Sequence, residues 1–126
     1  MSIKINNIIS EFAKEVDQFI ASTIFDPTTG QSIADKTNDP DFDPAVPAAF
    51  MSEVIKENEK GLDAMNSGAT ATDYLMTLNK VYVLLKAIEG TWYYHGCTIG
   101  RSGSLGMARE MMRKYEPKLS EELKKL

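Results

Sequence analysis

Near the start of the chain Ile5, Ile8, Ile9, Phe12, Val16 and Phe19 recur at spacings of three and four. That period puts them on one stripe of a helix, with Lys4, Glu11, Lys14 and Glu15 mostly outside it. At Phe19 the pattern changes. Phe19-Ile20-Ala21-Ser22-Thr23-Ile24-Phe25 suits a strand, Asp26-Pro27-Thr28-Thr29-Gly30 suits a turn, and Gln31-Ser32-Ile33-Ala34 suits a short return. Proline presets φ for such a turn and glycine supplies the positive φ that closes it, so residues 19–35 are predicted as a β-hairpin. Residues 36–47 hold two Asp-Pro pairs and little that can pack, which predicts an extended acidic loop.

Pro47 suits the first turn of a second helix. Its predicted stripe is Ala49, Phe50, Val54 and Ile55, opposite Glu53, Glu57 and Lys60, and it ends near Asn66-Ser67-Gly68. Three strands follow: Tyr74–Leu78, the apolar run Val81–Ile88 and Thr91–Ile99. The unbroken run predicts a central strand covered on both faces. Ser104 is a fair N-cap for a third helix, with the stripe Leu105, Ala108, Met111, Met112, Tyr115 and Leu119, and residues 116–126 look like a polar tail. The order α-β-β-α-β-β-β-α, with hairpin-length links, predicts an α/β (α+β) domain over residues 1–126: a five-stranded antiparallel sheet sandwiched by helices.

Composition narrows the function. The 126 residues are 43% hydrophobic and 25% charged, which is ordinary for a globular domain. A net charge of −4 disfavours nucleic acid, which is held by lysine and arginine, and disfavours anionic lipid. The basic residues near the end (Arg109, Arg113, Lys114, Lys118, Lys124 and Lys125) are interrupted by glutamates and suit a solvated helix face. A single cysteine, Cys97, rules out an internal disulfide. The N-terminal residues lack the pattern of a signal peptide, and no apolar run reaches the roughly 20 residues of a membrane span, so a cytoplasmic location without membrane insertion is expected.

Each catalytic or ligand motif fails at a residue its chemistry requires. Asp39-Pro40-Asp41-Phe42-Asp43 opens like a calcium loop, but the turn glycine is replaced by Pro44 and the bidentate glutamate by Phe50. His95 and Cys97 share a strand face but are too few for zinc, so no metal is expected. Gly100-Arg101-Ser102-Gly103-Ser104 misses both the phosphate loop and the nucleophile elbow, so Ser102 makes a poor hydrolase centre and no catalytic residue is assigned. Gly100, Arg101, Ser102 and Gly103 still form a glycine-rich strand–helix turn with an arginine, and an anion-sensing role is the alternative to protein binding. Met107, Met111 and Met112 are read as core packing.

Two segments carry a family resemblance. The first is Phe19–Ala34, a hydrophobic strand turning through an Asp-x-x-Gly-like loop. The second is Ser104-Leu105-Gly106-Met107-Ala108-Arg109, similar to a Leu-Gly-x-x-Arg helix start. With the element order, they resemble the Roadblock / dynein light chain superfamily. Where that family often has glycines before its first strand, this chain has Asp17-Gln18. The resemblance implies a profilin-like/Roadblock architecture, with the first and last helices on one face and the middle helix on the other. It implies a homodimer, formed by pairing the third strand and packing the middle helices across a two-fold axis. It implies no catalysis and no cofactor. Members regulate or scaffold Ras-like small GTPases or serve as dynein-associated subunits, and bacterial members often act beside a small GTPase in motility or polarity.

Physics points to the same dimer, because an uncovered apolar edge strand is a liability that pairing with its own copy removes. The residues expected at that interface are Phe50, Val54, Tyr74, Leu75, Met76 and Leu78. The outward side of the middle helix, Glu53, Lys56, Glu57 and Lys60, is the surface expected to meet a Ras-like GTPase.

Overall fold

A computed structural model describes residues 2–126. The elements are α1 (Ile3–Lys14), β1 (Phe19–Asp26), β2 (Gln31–Thr37), α2 (Ala45–Ala64), β3 (Asp73–Thr77), β4 (Val81–Ala87), β5 (Tyr94–Gly100) and α3 (Leu105–Leu123). The five strands form one antiparallel sheet in the order β2-β1-β5-β4-β3. Helices α1 and α3 pack on one face and α2 on the other.

Local chemistry sets the element boundaries. Ser2 caps α1, its hydroxyl accepting from the Ile5 amide. Gly30, at φ 77°, closes the β1–β2 turn, and the Asp26 carboxylate accepts from the Thr28 amide. Ser104 caps α3 by accepting from the Met107 amide. Gln18 is the exception. It enters β1 at φ 58°, a left-handed conformation that suits glycine. Gln18→Gly should therefore raise stability by roughly 0.5–1 kcal/mol, the relief of side-chain strain exceeding the entropy glycine loses on folding. A melting temperature about 2–4 °C higher in thermal denaturation would register it, and a lower one would show that the strain is not there.

Alternation along the strands divides the core. Ile24 and Cys97 point to the α1/α3 face, where Ile5, Ile9, Phe12, Tyr115 and Leu119 cover them. Phe25, Leu85 and Tyr94 point to the α2 face and meet Ala48, Met51 and Ile55.

Several expectations need correction. The central strand is β5, flanked by β1 and β4; the apolar run of β4 lies one strand from the edge, with only Leu84 and Leu85 of the strand buried. Residues 91–93 form the end of the β4–β5 turn, and β5 starts at Tyr94. The acidic loop is shorter than 36–47, because β2 continues through Thr37 and α2 starts at Ala45. The stretch from Glu116 is no polar tail. Helix α3 runs through Pro117 to Leu123, burying Leu119, Ser120 and Leu123 against α1 and the sheet. The buried stripe of α2 is Ala48, Met51, Ser52 and Ile55, which turns Ala49 and Phe50 to the outside.

Candidate functional site: the β3 edge and the outer face of α2

The two edges of the sheet differ. Both α1 and α2 pack against β2. On β3 only the α2 side is partly covered: Tyr74 and Met76 rest on the α2 core, and Asn58 Nδ2 donates to the Tyr74 hydroxyl at 2.9 Å. The outer backbone edge of β3 has no partner strand among the described residues, and Leu75 on the opposite face is 39% exposed. Beside this edge α2 presents a second apolar stripe. Val46 and Phe50 are 66% and 62% exposed, and Val54, one turn further on, is half-buried. Their i, i+4, i+8 spacing is one helix face. Val46 was not among the expected interface residues. The same spacing would have found it, had the helix been read as carrying two apolar stripes.

Among the expected interface residues, then, Phe50, Val54, Tyr74, Leu75 and Met76 lie on α2 or β3. Leu78 lies just beyond β3 in the β3–β4 turn, where its amide donates to the Val81 carbonyl. On α2 the expected partner surface is self-paired: Lys56 with Glu53 and Lys60 with Glu57, each at 3.2 Å and exposed. Such i,i+3 pairs contribute a few tenths of a kcal/mol and leave little unbalanced charge.

The Gly100–Gly103 turn is built as a latch. The amides of Gly100, Arg101 and Gly103 already donate to the carbonyls of Gln18, Lys80 and Gly100. The Arg101 guanidinium donates to the Leu78 carbonyl at 2.7 Å and lies 4.8 Å over the Tyr82 ring. A Cβ at Gly103 would come within 2.9 Å of the Asp17 carbonyl oxygen, so the glycine serves close packing. Ser102 is exposed. Three backbone amides of the turn and one Arg101 N–H are thus engaged within the fold.

One side-chain pair has the look of chemistry. Ser22 Oγ and His95 Nε2 share a hydrogen bond of 2.7 Å. Both are almost wholly buried, on neighbouring central strands, and burial pushes the imidazole down to about 3 and the nearby Cys97 thiol up to about 12. A neutral, sealed pair satisfies two buried polar groups and offers no route to a substrate. No group of three or more potential metal ligands occurs among the described residues, and no helix is long and apolar enough to cross a membrane.

No family model matches the sequence, and no curated protein sequence matches it. Solved structures do. MglB of Myxococcus xanthus superposes with a TM-score of 0.84 at 14% identity, over 98% of each chain. The Roadblock/LC7 domain from Streptomyces avermitilis gives 0.81 at 14% identity, over 94% of this chain and 96% of its own. An MglB with a tetrameric arrangement gives 0.85 at 11% identity, over 99% and 93%. With the expected element order, sheet and helix layers all present, the chain has the Roadblock/LC7 fold.

Proposed function

We propose that residues 1–126 act as one Roadblock-type domain, a non-enzymatic cytoplasmic homodimer that regulates or scaffolds a Ras-like small GTPase. The observation that carries the dimer is the pairing of an uncovered β3 edge with the exposed Val46–Phe50 stripe of α2. A two-fold contact would join the β3 edges and bring the α2 stripes together, removing both from water. The tetrameric arrangement of a structural neighbour, MglB, supports self-association. The GTPase follows from the family resemblance, and the burial of Ser22, His95 and Cys97 supports a regulatory role over catalysis.

Light scattering tests the dimer. At micromolar concentration the protein should show twice its 14.0 kDa chain mass, and Phe50→Asp should return it to the single-chain mass while leaving the circular dichroism spectrum unchanged. A wild-type monomer would remove the basis of the dimer. For the partner, Ras-like GTPases purified from the source cell and loaded with GDP or a non-hydrolysable GTP analogue should bind the immobilised dimer in one nucleotide state more tightly than the other. Absence of binding in both states would overturn the GTPase assignment.

A further inference from the structure

The hydrogen bonds at the two ends of β3 fix which way its backbone points. The Ala87 amide donates to the Thr72 carbonyl and the Leu78 amide to the Val81 carbonyl, each at 2.9 Å. In an antiparallel ladder bonded pairs alternate with non-bonded ones, so Thr72, Tyr74, Met76 and Leu78 turn their N–H and C=O groups to β4. The groups of Asp73, Leu75 and Thr77 therefore point outward, and no strand lies beyond them among the described residues. The same three residues are the exposed ones of the strand. The opposite edge of the sheet is guarded. There β2 carries a register shift opposite Ile24 and Phe25 and the charges of Asp35 and Lys36, devices that discourage a further strand. β3 has neither bulge nor proline, and its one charge, Asp73, stands at its end.

This free edge is self-complementary in one register. Asp73 and Thr77 are evenly spaced about Leu75. A two-fold axis at Leu75 sets Leu75 against Leu75 of the second copy and Asp73 against its Thr77. Every outward group of the strand then finds a partner, in about six hydrogen bonds. Moving the axis to Tyr74 or Met76 leaves one outward residue of each strand unmatched and keeps about four. Moving it to Asp73 opposes two carboxylates, which is destabilising. Side chains favour the same register. Tyr74 and Met76 share the α2 face, so each ring meets the Met76 thioether of the second copy, a favourable sulfur–aromatic contact. On the other face the two Leu75 side chains, each 39% exposed in the single chain, cover one another.

We infer that β3 pairs antiparallel with β3 of a second copy in a single register, with the two-fold axis at Leu75. The inference rests on the dimer proposed above and adds its register. Pairing of β3 with β2 of another copy, which would propagate as a filament instead of closing, is opposed by the β2 bulge and charges.

Each register places a different residue on the axis, so single cysteines in the full chain read it. Directly paired Cα atoms lie about 5.5 Å apart, within reach of a disulfide, whereas the two copies of Tyr74 or of Met76 would stand on a diagonal about 8–9 Å long, beyond it. Leu75→Cys, Tyr74→Cys and Met76→Cys are oxidised at micromolar concentration, alkylated and run on a non-reducing denaturing gel. Leu75→Cys should run mostly as a covalent dimer, and the other two should cross-link at least about tenfold less. Asp73→Cys/Thr77→Cys, at exposed positions too far apart to close within one chain, should cross-link as Leu75→Cys does. The wild type, with Cys97 sealed in the core, is the blank. Light scattering under reducing conditions should give every variant the dimer mass. A dimer that cross-links best through Tyr74→Cys or Met76→Cys overturns the register alone, as does one in which Leu75→Cys or the double variant stays uncross-linked. A wild-type monomer overturns the register together with the dimer.

Discussion

Phe12→Ala is expected to lower the unfolding free energy by about 3–5 kcal/mol, a large fraction of the stability of a domain this size. Phe12 is fully buried and joins three elements. Its ring lies edge-on to Phe19 at 6.3 Å, His95 at 4.7 Å and Tyr115 at 5.9 Å, contacts that tie α1 to β1, β5 and α3. Truncation removes the aromatic pairs as well as the buried area, and rigid strands on one side leave the cavity little room to collapse. Urea denaturation should show a lower midpoint with an unchanged slope. A loss below about 1 kcal/mol would mean that the layers slide together to refill the space.

Acid should weaken the fold by a comparable amount through one residue. His95 stays neutral in the folded protein down to about 3, against an ordinary value of 6.5, because burial penalises its charged form. Its ring bonds Ser22, and Lys86 stands directly across the ladder with its ammonium drawn to Glu116, so no carboxylate is paired with the imidazole. Between pH 6.5 and about 3 the unfolded chain therefore binds a proton that the folded chain refuses. The His95 contribution is complete above 6.5 and declines by roughly 1.4 kcal/mol per pH unit below it. His95→Gln should be less stable at neutral pH yet show a flatter decline between pH 6.5 and 4. Parallel wild-type and variant curves over that range would show that His95 takes no part in it.

Where an element is decided by near neighbours, its residues announced it. Phe19–Phe25, the Asp26–Gly30 turn and the Ser104 cap all stand where their side chains predict. Orientation was harder. Ala48, Met51 and Ile55 compete with Val46, Phe50 and Val54 for the name of core face, and hydropathy cannot separate a stripe that meets the sheet from one left bare. Strand order was hidden for a similar reason. The longest apolar run, Val81–Ile88, is not the central strand, because β5 fills that place with small residues, Gly96 and Cys97, and with a histidine whose polarity Ser22 satisfies. Glu116 and Pro117 read as the end of α3. Yet Tyr115, Leu119 and Leu123 continue one stripe past them, and tertiary burial outweighs the hydrogen bond that proline removes. In the Gly100–Gly103 turn the sequence cannot show which amides are spent, since that depends on contacts with Gln18 and Lys80.

The pairing of β1 with β5 also has a consequence in time. Ser22 and His95, neighbours in the folded sheet, are 73 positions apart in the chain. A ribosome adding about 5–20 residues per second finishes β1 several seconds before β5 emerges. Throughout that interval the β1–β2 hairpin is exposed along the side that will become the middle of the sheet. Closing so long a loop slows folding, since its entropy is lost before the contacts that repay it have formed. A nascent chain held at about residue 90 should therefore be the species that chaperones engage, and release from them should coincide with the emergence of β5.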